Sequence, residues 1–144
     1  MTAEVATPAG PSAEDARRFP TLESLVRRGA SAAFTDEYGV ALRRLFPWPD
    51  HVETHRPISE FGVIWVVIEG GKTVDAHAHD EEETFIVVSG AIELSMNGET
   101  TVLEAGDVAY IPRFWKHGLS NPSPDVPFVM IDIYWDNQGR PVPA

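Results

Sequence analysis

The chain has 144 residues, which is one domain's worth and enough to bury roughly 68–70% of the unfolded surface. A formal net charge of -11 and a pI near 4.7 set it against polyanions, so nucleic acid and anionic membranes are excluded as partners. There is no cysteine, hence no disulfide, thiolate metal site or cysteine nucleophile.

Residues 1–18 mix Ala, Thr, Pro, Ser and Glu without periodicity and read as a flexible tail, leaving 19–144 as the single domain. The opening stretch has no apolar core of the signal-peptide kind, and the longest aliphatic and aromatic run, 63–68, is too short to span a bilayer. A soluble cytoplasmic protein is expected. Thr21 is placed to cap a short helix over 22–28, with Leu22, Leu25 and Val26 as its apolar stripe and Gly29 as its stop. Residues 38–46 read as a strand before the breaker Pro47-Trp48-Pro49.

From Phe61 onward the pattern is all β, with the core of the barrel over about 60–135. Segments 61–69, 84–89, 91–97, 99–103, 108–111, 117–121 and 128–135 are short runs of branched and aromatic residues, punctuated by Gly, Asn, Asp or Pro. Asn97-Gly98 is the clearest hairpin signal, because a type I′ turn needs positive φ at both central positions. Many short strands with no alternating helix predict a sandwich or barrel rather than a parallel α/β sheet. In 61–69 and 128–135 both parities are apolar, where a solvent-backed strand would alternate. That surplus needs a cover, and the expectation is a homodimer in which the N-terminal segment and a second subunit both contribute.

The chemistry concentrates in two stretches. GKTVDAHAHDEEETFIVVSG runs from Gly71 to Gly90, and GDVAYIPRFWKHGLSN from Gly106 to Asn121. His77 and His79 are two apart, so a strand sends both imidazoles the same way. Glu83 follows across the acidic stretch Asp80-Glu81-Glu82, and sheet closure would bring His117 alongside. Imidazole with carboxylate suits one borderline divalent ion, whether Zn, Fe, Mn or Ni. Four protein ligands leave open positions for water or substrate. The plainer alternative is two exposed strand histidines beside a solvated acidic loop.

The spacing of these glycines, histidines and carboxylate resembles the cupin superfamily. Its first motif is matched at Gly71, His77, His79, Glu83 and Gly90, and its second at Gly106, Pro112, His117 and Asn121. The resemblance implies an all-β, double-stranded β-helix (jelly-roll) barrel with a short N-terminal helical or extended arm. It also implies one divalent ion held by His77, His79, Glu83 and His117, with Asn121 tying the backbone. Phe114 departs from the motif, standing where the family has glycine. Positive φ there would strain a phenylalanine, so another loop conformation is expected. Phe114 and Trp115 then either form an aromatic lip over the site or pack beneath a loop.

Reaction type does not follow from the fold. Lewis-acid chemistry on a small organic molecule, giving isomerisation, cyclisation or rearrangement, needs a positioned acid or base. Tyr110, Asp132 and Tyr134 are the candidates, with Glu69 behind them. Arg56 and Arg113 are possible anion holders, and Arg56, Phe114, Trp115 and Met130 are expected to line the pocket. If residues 128, 130, 132 and 134 face the cavity, Asp132 is a site group; the opposite parity puts it outside. The alternatives are an Fe(II)-dependent dioxygenase and a non-catalytic binding protein. A standalone barrel with an intact ligand set favours an enzyme, placed in bacterial specialised metabolism, with a small-molecule substrate as its partner.

Overall fold

The computed structural model describes residues 13–46 and 60–136. Arg56 and the breaker at 47–49 lie outside the described residues, as do 1–12. Ala13–Arg18 forms a short helix, α1, within the segment read as non-periodic. The expected helix over 22–28 does not form. Only Glu23–Leu25 makes a 3-10 turn, and Val26–Arg27 then becomes strand β1, paired antiparallel with Ala109 and Val108. A ladder partner outweighs a weak local helix preference. Arg28 is fixed by Glu23 and by the buried Asp107, whose carboxylate also accepts the Gly29 N–H at 2.8 Å.

The strand expected over 38–46 is instead the tight hairpin β2 (Thr35–Glu37) and β3 (Val40–Leu42), turning at Tyr38 and Gly39 with φ of 56° and 79°. The remaining strands are β4 (Glu60–Ile68), β5 (Thr73–His77), β6 (Glu82–Ser89), β7 (Ala91–Met96), β8 (Glu99–Glu104), β9 (Val108–Ile111), β10 (His117–Ser120) and β11 (Phe128–Asp136). Asn97 and Gly98, with φ of 55° and 74°, make the expected two-residue turn between β7 and β8.

Two antiparallel sheets hold the core, one ordered β1-β9-β6-β11-β4 and the other β5-β10-β7-β8. Phe85, Val87, Ile92, Leu94, Leu119 and Met130 are buried in it. This is the all-β, double-stranded β-helix expected from the motifs, with a short N-terminal helix. Its arm packs outside the larger sheet, where Phe19 lies 5.6 Å from Tyr110 and Phe46 lies 5.0 Å from Trp135, centroid to centroid. Among the described residues no helix is long and apolar enough to cross a membrane.

Candidate metal centre

His77 ends β5 and His117 begins β10, and the two are cross-strand partners. His79 follows in the loop, where its backbone carbonyl accepts the Phe114 N–H at 2.9 Å. The three ring centroids are 4.7–5.5 Å apart, and one nitrogen from each ring lies within 4.8 Å of the others. Residues 40 positions apart in sequence thus converge because β10 is laid between β5 and β7.

Two of the rings are held by backbone. The His77 Nδ1 sits 2.7 Å from the Asp75 carbonyl, and the His117 Nδ1 sits 2.8 Å from the Trp115 carbonyl. A carbonyl only accepts, so Nδ1 carries the proton in each ring and the Nε2 lone pair is left for a cation. Glu83 contacts His79 Nε2 through Oε1. Burial disfavours charge on His79, but the hydrogen bond and the charge of Glu83 outweigh it and raise the imidazole's pKa. Burial likewise works against the Glu83 carboxylate, yet His79 holds its pKa below the usual range. Burial lowers the pKa of His117, which favours the neutral ligand form.

Next to this cluster is a cavity of about 150 Å³ lined by both sheets. His77, Glu83, His117 and Asp132 supply its polar wall; Val66, Val74, Phe85, Leu119 and Met130 supply the rest. Strand parity explains the lining. Phe85 is two residues after Glu83, Leu119 two after His117, and Met130 two before Asp132. That periodicity could have identified Phe85 and Leu119 from sequence, whereas nothing local marked Val66 or Val74.

Asp132 faces inward. Its Oδ1 has no hydrogen-bond partner, and burial, then the charge and hydrogen bonding of Glu83, push its pKa up to about 8. Burying two adjacent carboxyls favours one shared proton over two charges. A neutral carboxyl therefore sits beside a carboxylate and three imidazoles.

Other expected site residues are placed elsewhere. Tyr110 pairs with Thr84, on the outer face of the sheet. There it donates to Glu82, which also accepts the Trp135 Nε1–H at 2.7 Å, so Tyr110 is a packing residue and not an acid–base group of the cavity. Tyr134 is opposite Glu83 and on its face, but its ring lies against Gly62 and outside the cavity lining. Trp115 is in the core, 2% exposed, and forms no lip.

Phe114 is half-buried with the Arg113 guanidinium 4.9 Å above its ring, again outside the lining. Its φ is +66°, so the loop keeps the left-handed conformation that glycine would favour, against the expectation of a different one. Arg113 is buried in an ion pair with Asp80 and does not reach the cavity as an anion holder. Glu69 is exposed. Asn121 does tie the backbone: its Nδ2 donates to the carbonyls of Ile68 and Val126, both at 2.9 Å.

The donor set fits a divalent ion. Three imidazoles, two of them with the Nε2 lone pair left free by backbone contacts at Nδ1, and a carboxylate touching the third are the ligand types such ions take.

Residues 63–134 match the sequence profile of the Cupin domain family. The fold is similar to a Cupin 2 conserved barrel domain protein from Salinispora arenicola, at 30% identity over 72% of this chain and 82% of that one, with a TM-score of 0.50. It is also similar to a conserved protein with a double-stranded β-helix domain from Klebsiella pneumoniae, at 26% identity over 65% and 85% of the two chains, with a TM-score of 0.51. KdgF from Halomonas sp. matches at 26% identity over 58% of this chain and 78% of that one, with a TM-score of 0.50.

Proposed function

Because the chain belongs to the cupin family, whose members share a barrel and not a reaction, we propose its function from the cavity: a metal-dependent enzyme that moves a proton on a small carbonyl compound. His77, His79 and His117 would hold the ion, with Glu83 as the carboxylate donor beside them. A divalent ion bound there supplies Lewis acidity, stabilising negative charge on a substrate oxygen.

The observation that carries the proposal is Asp132. Its carboxyl faces into the same cavity as the imidazoles, with Oδ1 free of a hydrogen-bond partner and its proton affinity raised by burial, and is placed to give or take a proton. Phe85, Met130 and Leu119 line the same cavity and supply apolar contact. At about 150 Å³ the cavity is smaller than the ~300–1,000 Å³ of drug-sized sites, so the group that enters it is small. Isomerisation or rearrangement through an enolate uses each of these groups. Lewis-acid proton transfer gives the inward Asp132 carboxyl a role as acid or base, which is why that reading is preferred over a dioxygenase.

The test is proton exchange. Metal-loaded protein in D₂O, offered a panel of small 2-oxo and 2-hydroxy carbonyl compounds, is expected to exchange a hydrogen next to the carbonyl of at least one, as followed by NMR. Chelation should abolish this, and Asp132→Asn should abolish it while leaving metal bound. Exchange that persists in Asp132→Asn would overturn the role of that residue. Tight binding of a compound without exchange would make the protein a receptor rather than an enzyme.

A further inference from the structure

The three imidazoles are not held in the same way. His77 closes β5 and His117 opens β10, so the pairing of those strands fixes both. His79 lies beyond the end of β5, in the loop that leads to β6. Its ring contacts Glu83 and the backbone of Glu81, which belong to the same stretch of chain. A ligand carried on a loop needs support from outside that loop to keep its place. Residues 112–116, between β9 and β10, supply it. The Phe114 N–H donates to the His79 carbonyl at 2.9 Å, and the neighbouring Arg113 guanidinium pairs with Asp80, the residue after His79. Arg113 is buried and lies 4.9 Å above the Phe114 ring, so its charge meets an aromatic face as well as a carboxylate. One residue on, the Trp115 carbonyl accepts the His117 Nδ1–H at 2.8 Å. The left-handed φ of +66° at Phe114 is the bend between these two contacts.

We propose that Arg113 is a positioning residue for His79: with Asp80 and the Phe114 ring it clasps the loop after β5 to the loop before β10, and so sets the imidazole for metal. The inference rests on the reading of His77, His79 and His117 as ligands of one ion. Stability gives a weaker account of the pair. Desolvation offsets much of the attraction in a buried ion pair, so such a pair adds little to folding. A guanidinium does add direction, because its planar fork takes a carboxylate at the edge and a ring on the face. The clasp also gives the phenylalanine a reason. Glycine at 114 would take the same φ without strain, but it offers no ring to cover the guanidinium.

Charge alone predicts the opposite sign for its removal. Taking a buried cation away from the loop beside His79 relieves repulsion of a divalent ion, and would tighten metal binding. Taking the clasp away frees the loop and misplaces the ring, and should weaken binding by ~10–100-fold, as for other lost partners of metal ligands. The direction of the change therefore separates positioning from electrostatics.

Two measurements on the full chain test this: Zn(II) affinity by competition with a chromophoric chelator, and NMR of the imidazole nitrogens in metal-free protein. Arg113→Gln should weaken Zn(II) binding ~10–100-fold. In a His79→Ala background the same substitution should change affinity by less than about 2-fold, because no ring is left to place. Without metal, Arg113→Gln should shift and broaden the ring signals of His79 while those of His77 stay as in the wild type. Should that variant fail to fold, Phe114→Gly keeps the left-handed turn and uncovers the guanidinium, and is expected to act in the same direction by about 2–5-fold. Unchanged or tighter binding overturns the clasp. An equal loss in both backgrounds overturns it too, since Arg113 would then serve the fold and not His79. A wild type that takes up no Zn(II) removes the ligand reading instead; the His79 ring signals then decide the clasp, and signals unmoved by Arg113→Gln would end it.

Discussion

Replacing Asp132 with asparagine should flatten a pH dependence of stability that the metal-free wild type shows. The folded carboxyl binds its proton with a pKa near 8, against 3.8 for the ordinary group. Between those values the native state holds a proton that the unfolded state has released. The sign is therefore loss of stability as pH rises through this window. At about 1.4 kcal/mol per tenfold change in proton affinity the ceiling is near 6 kcal/mol. Glu83 moves the other way because the pair shares the proton, and the cavity admits solvent on one side, so about 1–3 kcal/mol is expected. His79, whose pKa is also raised, loses its stabilising charge over the upper part of the window and tilts both proteins alike. The assay is urea unfolding of chelator-treated protein at pH 5.5, 7 and 9, wild type against Asp132→Asn. The wild type should lose about 1–3 kcal/mol more than the variant between the first and last. Parallel curves would show that Asp132 titrates normally and would remove the proton carrier from the cavity.

Alanine at His77 or His117 should weaken divalent-metal affinity by more than ~100-fold, beyond what is lost with an outer-shell partner, while circular dichroism stays unchanged; full occupancy measured by elemental analysis would contradict the ligation. Glu82→Ala leaves the Tyr110 hydroxyl and the Trp135 indole N–H buried without their acceptor, and should cost about 2–4 kcal/mol in urea unfolding with little change in metal binding. Phe114→Val places a β-branched residue at φ +66° and also loses the Arg113 stacking, so thermal unfolding should report a loss of about 1–3 kcal/mol. An unchanged melting temperature would show that the left-handed turn is not imposed by its surroundings.

The histidine cluster was legible because its signals are local: His77 and His79 two residues apart at the end of a strand, and glycines and a proline at fixed distances around His117. The barrel was legible from short strands and turn residues, above all Asn97-Gly98. What failed to show was direction and competition. In β9 the residues Val108, Ala109, Tyr110 and Ile111 are all buried, so no alternation revealed which way Tyr110 points. Asp132 posed the same problem in an apolar strand, and only the pairing of β11 with β6 resolved it. The segment 22–28 carried a helical stripe, yet Val26 and Arg27 gained more from the edge of β9. Tyr38 was not recognisable as a turn residue, because positive φ at tyrosine has no sequence signature. Trp115 stands in a loop between the half-buried Phe114 and the exposed Lys116, outside any strand whose alternation could have shown whether it faced the cavity or the core.

X-ray absorption spectroscopy on protein loaded with one equivalent of Zn(II) bears most directly on the site. Three imidazole nitrogens at about 2.0–2.1 Å, with oxygen completing the shell, are predicted, together with a stoichiometry of one ion per chain. A shell with one imidazole or none, or uptake that leaves the three rings unligated, would contradict the site.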